Sequence, residues 1–155
     1  MTTPGFAALK LAVHAACLAQ AGKRIASARA GLEQEREAGA EESKSSAGDK
    51  HETARAMAHL ELEKQLTVIN NLLEMEAALG RIDPAVRMQL AGPGALVGTD
   101  QGIYYIAAAL GSVEAGDHKV QVVSMHAPLI AALKGLRAGE AVIFRGTRFQ
   151  VLQIA

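Results

Sequence analysis

Apolar residues recur at helical spacing through the first half of the chain and in short, strand-like runs through the second. From Phe6 to about Ala38 the sequence is rich in Ala, Leu, Gln, Glu and Arg, all good helix formers, and Leu11, Leu18, Ile25 and Leu32 fall seven residues apart. This spacing predicts one apolar seam along a helix about 50 Å long, with Ala21 and Ala28 on the seam letting a partner helix approach closely. Residues 39–48 break the pattern with Gly39, Gly48, Ser43, Ser45 and Ser46 and no large apolar side chain, as a loop does. A second helix is predicted from Asp49 to Leu79. Its seam is Leu62, Leu66, Ile69 and Leu73, broadening to Leu72, Met75 and Leu79. Across so short a connection the two helices pack antiparallel and each seam covers the other.

Gly80, Pro84 and Gly92-Pro93-Gly94 mark a linker, because helices stop and chains turn at such residues. Beyond it, Ala95 to Thr99, Gly102 to Ala109, Lys119 to Met125, Ala141 to Phe144 and Arg148 to Ile154 are β-branched or aromatic runs separated by turn residues. Pro128 to Lys134 is the exception, a short helix with Pro in its first turn and Gly135 just past its end. The expected fold class is therefore α+β: an antiparallel coiled-coil hairpin over residues 1–80, a linker over 81–94, and a small antiparallel β-sheet domain with one short helix over 95–155. Leu9 and Leu79, at the base of the hairpin, are placed to pack against that second domain.

Composition removes several function classes. A formal net charge of zero makes a poor phosphate-neutralising DNA binder, and the absence of Trp argues against a stacking platform for single strands. The single cysteine, Cys17, can form neither an internal disulfide nor a zinc finger and fits a reducing cytoplasm. His118 and His126 lack the spaced partners of a zinc site. Phe6 to Ala21 is apolar, but Lys10 and His14 interrupt it and no basic residue precedes it, so neither a leader peptide nor a membrane span is expected.

Charge along the hairpin is ordered. Residues 1–32 carry Lys10, Lys23, Arg24 and Arg29 and no acid, whereas residues 33–52 carry Glu33, Glu35, Glu37, Glu41, Glu42, Asp49 and Glu52 against Arg36, Lys44 and Lys50. Acid at the end of the first helix opposes its macrodipole, which points to a use outside the helix; solvated charge for solubility is the plainer explanation. At the start of the second helix, Ser46 followed by Asp49, and Asp49 followed by Glu52, fit helix capping for about 1 kcal/mol. A rigidly capped helix start is also a good platform for aiming a carboxylate.

Gly48-Asp49-Lys50-His51-Glu52 resembles the acidic tip of the bacterial Gre transcript-cleavage factors, where a Gly-Asp-x-x-Glu run stands at the end of a long antiparallel coiled coil. Ala127-Pro128-Leu129-Ile130-Ala131-Ala132-Leu133-Lys134-Gly135 is similar to that family's Ser-Pro-Ile-Ala-Arg-Ala-Leu-Leu-Gly segment. Ala138-Gly139-Glu140-Ala141-Val142 is similar to its Gly-Asp-x-Val, and Phe149 to Ile154 to its closing strand. Length and order of elements agree over nearly the whole chain.

The resemblance implies an FKBP-like C-terminal domain that docks on RNA polymerase, with Pro128, Leu129, Lys134 and Arg137 as the partner-binding residues, and a hairpin inserted into the secondary channel. Asp49 and Glu52 would be the catalytic and metal-ligating carboxylates, sharing Mg2+ with the polymerase so that it hydrolyses the 3′ end of backtracked RNA. The chain would not be an enzyme alone, and would act as a cytoplasmic monomer. One position departs: where the family continues Glu-Asn-Ala-Glu-Tyr, this chain has Glu52-Thr53-Ala54-Arg55-Ala56, and the cation at Arg55 can compete with a metal for the carboxylates or pin them in a salt bridge. This departure leaves a non-cleaving modulator or inhibitor of polymerase as an alternative. A free-standing FKBP-like peptide binder is another, although Tyr104, Tyr105, Phe144 and Phe149 are few aromatics for its pocket. An adaptor dimerising through its apolar seam is a third, disfavoured because the hairpin satisfies its own seam.

Overall fold

The computed structural model describes residues 4–42 and 48–155; the side chains of residues 38–42 and 48–51 lie outside the description. Two long helices come first, α1 (Pro4–Glu42) and α2 (Gly48–Gly80). They are followed by β1 (Leu96–Thr99), β2 (Gly102–Ile106), β3 (Gly111–Ala115), β4 (His118–Val123), α3 (Pro128–Leu133), β5 (Ala141–Phe144) and β6 (Thr147–Ile154). The chain divides into two compact units, residues 21–74 and residues 1–20 together with 75–155.

The unit of residues 21–74 is a pair of packed helices. Ala21, Ile25 and Leu32 of α1 and Ile69 and Leu72 of α2 are buried, as the seam requires. Ala28 and Gly31 of α1 share a notch with Glu61, Gln65 and Val68 of α2, small residues on one helix admitting the other. Leu66, expected on the seam, is exposed, whereas Ile69 and Leu72 of the predicted seam are buried.

The other unit corrects the reading of α1 more sharply. Leu11 and Leu18 are exposed, and the buried face is Phe6, Lys10, Val13, His14 and Cys17. This stretch of α1 packs on a sheet, so the face that matters is the one meeting strands, and a polar residue with a partner can occupy it. The ring of Phe6 lies so close to β1 that a Cβ on Gly98 would sit 3.1 Å from it. Leu79 is fully buried in the same unit, and Leu9 lines a groove with Gly98 and Ile103.

The sheet has six strands in the order β3-β4-β2-β1-β6-β5. It is mixed rather than antiparallel, because β2 and β4 pair in parallel, Ile103 opposite Val120 and Tyr105 opposite Val122. β3 causes this: it forms a hairpin with β4, Val113 opposite Val120, so β4 returns beside β2 in the same direction. Gly111-Ser112-Val113-Glu114-Ala115 contains a single strong strand former, so its residue pattern does not predict a strand. On β6, Gly98 pairs with Gln153 and Thr99 with Val151, leaving Leu152 as the extra residue of a bulge. One face of the sheet packs against α3 around Val97, Ile106, Ile130, Leu133, Phe149 and Val151. Burial of each of these side chains is worth about 1.5–3 kcal/mol.

Candidate functional site

The acidic run falls at the start of α2, whose first residue is Gly48. Asp49 is in the opening turn, and its carboxylate, the imidazole of His51 and the capping position Ser46 lie outside the described residues. Glu52 is described and exposed, and so is Arg55 three residues later. The two form no ion pair with each other, whereas Arg36 and Glu33, 3.6 Å apart and exposed, pair within α1. Arg55 therefore does not hold Glu52 in this structure, and the carboxylate faces water. Among the described residues no three His, Cys, Asp or Glu side chains converge on a metal position. The pairing of Asp49 with Glu52 lies beyond that statement.

The α3 segment is built as its residues dictate. Pro128 takes the first helical turn, where its missing N–H costs nothing. The helix closes with Lys134 N–H donating to the Ile130 carbonyl at 2.8 Å, and Gly135 follows at φ 84°. Gly135 N–H then donates to the Ala91 carbonyl and Ala91 N–H to the Leu136 carbonyl, tying the segment to the linker at 2.8 and 2.9 Å. Pro128, Lys134 and Arg137 are exposed. Leu129 is half-buried against the core, so its role is partly structural. The Arg137 backbone N–H donates to Glu140 Oε1 at 3.0 Å, which fixes the turn leading into β5.

A polar cluster that the sequence did not reveal lies beneath α1. Lys10 is only 2% exposed, and its ammonium donates to the Val86 carbonyl at 2.8 Å. Four residues on, His14 Nδ1 is 2.7 Å from the Tyr105 hydroxyl. Burial lowers the pKa of both Lys10 and His14, the Lys10 charge lowers that of His14 further, and Asp83 opposes the shift in each. Burial also raises the Tyr105 phenol and pushes the Cys17 thiol up to about 11. Lys10 is thus not part of the exposed basic charge at the hairpin's base. The available signal was its i, i+4 spacing to His14 and Phe6, which puts all three on one helix face.

Tyr105 is fully buried, and Tyr104 and Phe144 pack edge-on against Phe149 at 6.4 and 6.5 Å, so these rings build the core. By length and composition α1 could cross a membrane, but its Phe6–Cys17 face is committed to the sheet and buries Lys10 there.

No family model matches the chain, and no curated protein matches it. Solved structures do. One, of the transcription factor Gfh1, is 20% identical, covering 90% of this chain and 93% of that one with a TM-score of 0.38. Another, of the GreA factor homolog 1 (Gfh1) protein of Thermus thermophilus, is 18% identical, covering 90% and 95% with a TM-score of 0.36. The structural resemblance to both is weak.

Proposed function

We propose that this chain is a cytoplasmic transcription elongation factor that binds RNA polymerase through an FKBP-like C-terminal domain and places the acidic hairpin tip in the secondary channel. The observation that carries this reading is the position of Gly48-Asp49-Lys50-His51-Glu52, which opens the second of two packed helices in a chain that continues into a sheet domain holding the Pro128–Leu133 helix. Glu52 is exposed and forms no ion pair with a described residue.

Oxygen donors of this kind suit Mg2+, which keeps several waters and rarely takes an all-protein cage. Asp49 and Glu52 would hold the ion jointly with the polymerase, and its chemistry there would be stabilisation of charge during hydrolysis of backtracked RNA. The residues of this chain position carboxylates; bond cleavage belongs to the polymerase.

Arg55 favours a second form of the same reading, a channel-binding modulator that does not stimulate cleavage. Its guanidinium is exposed near the start of α2 and would weaken cation binding by the neighbouring carboxylates. Direct binding tests both forms. The end-labelled chain should bind the core polymerase of its own organism and compete there with a cleavage factor; absence of binding at micromolar concentrations rejects both.

A further inference from the structure

One side of α2, within the unit of residues 21–74, carries apolar side chains that its pairing with α1 leaves exposed. Met57 is 66% exposed, Leu60 57% and Val68 51%, while Ile69 and Leu72 of the same helix are buried. Met57, Glu61, Lys64 and Val68 follow one another four, three and four residues apart, which sets them in one row along the helix, with Leu60 at its edge. The row borders a groove of about 270 Å3 shared by Glu61, Lys64, Gln65 and Val68 of α2 with Ala28 and Gly31 of α1. A Cβ on Gly31 would meet no atom within 4 Å, so the space beside it is open. Gln65 Oε1 is buried without a hydrogen-bond partner, an arrangement that costs about 1–3 kcal/mol until a donor arrives.

The row is complementary to itself. Two copies of α2 laid antiparallel about a two-fold axis between residues 62 and 63 set Met57 against the partner's Val68 and Glu61 against the partner's Lys64, and symmetry repeats each pairing in reverse. Apolar layers then flank two layers of opposite charge. A parallel arrangement would instead oppose Glu61 to Glu61 and Lys64 to Lys64, which like-charge repulsion disfavours. Neither Glu61 nor Lys64 forms an ion pair with a described residue, and His59 and Glu63, which do pair, are spaced onto another side of the helix. The partner's Lys64 ammonium has three N–H groups, enough to serve both Glu61 and the Gln65 oxygen.

We propose that this row is a self-association surface, on which a second copy of the chain seats its own Met57–Val68 row antiparallel, beside Ala28 and Gly31. The row is distinct from the seam that α1 covers, so the hairpin of each copy stays closed. Four layers make a small contact, the class of interface that gives weak and reversible association. Self-association of this kind does not depend on polymerase binding.

Sedimentation equilibrium of the full chain from low to high micromolar concentration tests it. The native chain is expected to pass from the mass of one chain toward that of two. Glu61→Lys and Lys64→Glu each put like charges in both central layers, and each alone is expected to weaken association about tenfold or more. Mixing these two variants in equal amounts restores opposite charges in every layer, so the mixture should associate as the native chain does. The double variant Glu61→Lys with Lys64→Glu should do the same, and Val68→Ser should weaken association without a change of charge. Both charged positions are exposed, and circular dichroism with urea midpoints checks that every variant folds. A native chain that keeps the mass of one throughout overturns the inference. So does a native dimer whose strength no variant alters, or a mixture of the two charge variants that stays dissociated.

Discussion

His14 Nδ1 lies 2.7 Å from the hydroxyl of Tyr105, joining the first turns of α1 to the middle of the sheet by a buried hydrogen bond. Lys10, one turn earlier, donates to the Val86 carbonyl in the linker. A helix face that looks interrupted by polar residues is thereby an attachment face, satisfied at each polar point. Replacing Tyr105 with Phe leaves a buried imidazole nitrogen without its partner. The expected cost is about 1–3 kcal/mol in urea unfolding.

The same pair sets a pH dependence. Burial first, and then the Lys10 charge, lowers the His14 pKa from 6.5, with Asp83 opposing. The unfolded chain therefore takes up a proton at a pH where the folded chain does not. Stability from neutral His14 is fully present above pH 6.5 and declines as pH falls from there toward the lowered folded value. Urea midpoints measured from pH 7.5 to 5 should fall, and fall less in His14→Gln, which cannot take up the proton. An equal decline in both proteins would show that other groups govern the response.

Cys17 is fully buried in α1 and its thiol is raised to about 11 by burial. At pH 8 almost none of it is thiolate, the reactive form. A thiol reagent should leave the native protein nearly unlabelled and modify it rapidly in denaturing urea. Fast labelling of native protein would mean that α1 opens from the sheet.

Gly98 admits the Phe6 ring. A Cβ there would stand 3.1 Å from the Phe6 ring tip and 3.2 Å from Gln153 Cγ, tighter than side chains normally accept. Gly98→Val is expected to destabilise by roughly 1–3 kcal/mol through overpacking. Combining it with Phe6→Ala should cost less than the sum of the two single changes, because the clash is shared. Strict additivity in urea unfolding would contradict this contact.

Leu11 and Val13 separate the two readings of α1. Leu11 is 48% exposed although it lies on the heptad of leucines, whereas Val13 is fully buried. Leu11→Gln should change stability by no more than about 0.5 kcal/mol, and Val13→Ala should cost about 1.5–3 kcal/mol. The reverse order in unfolding experiments would restore the leucine seam.

The elements themselves were legible, because the change from helical to strand-like patterning is strong and Pro128 and Gly135 punctuate α3. The facing of α1 was not. Leu11 and Leu18 fall in heptad register with Ile25 and Leu32, but only the latter pair meets a helix; before Ala21 the same helix meets a sheet. Lys10 and His14 read as interruptions because their partners, Val86 and Tyr105, lie 76 and 91 residues away. β3 was missed for want of β-branched residues, and the parallel pairing of β2 with β4 followed from that omission. At the candidate site, Pro128, Lys134 and Arg137 are exposed. Arg55 forms no ion pair with Glu52 although its sequence position suggested one, since helix spacing permits such a pair without compelling it.

The most direct measurement is RNA cleavage in stalled, backtracked elongation complexes of the matching polymerase, comparing the native chain with Asp49→Asn combined with Glu52→Gln. The expected result is cleavage stimulated by the native chain and lost in the double variant while polymerase binding persists. A native chain that neither binds these complexes nor changes their cleavage contradicts the placement of this protein in the secondary channel.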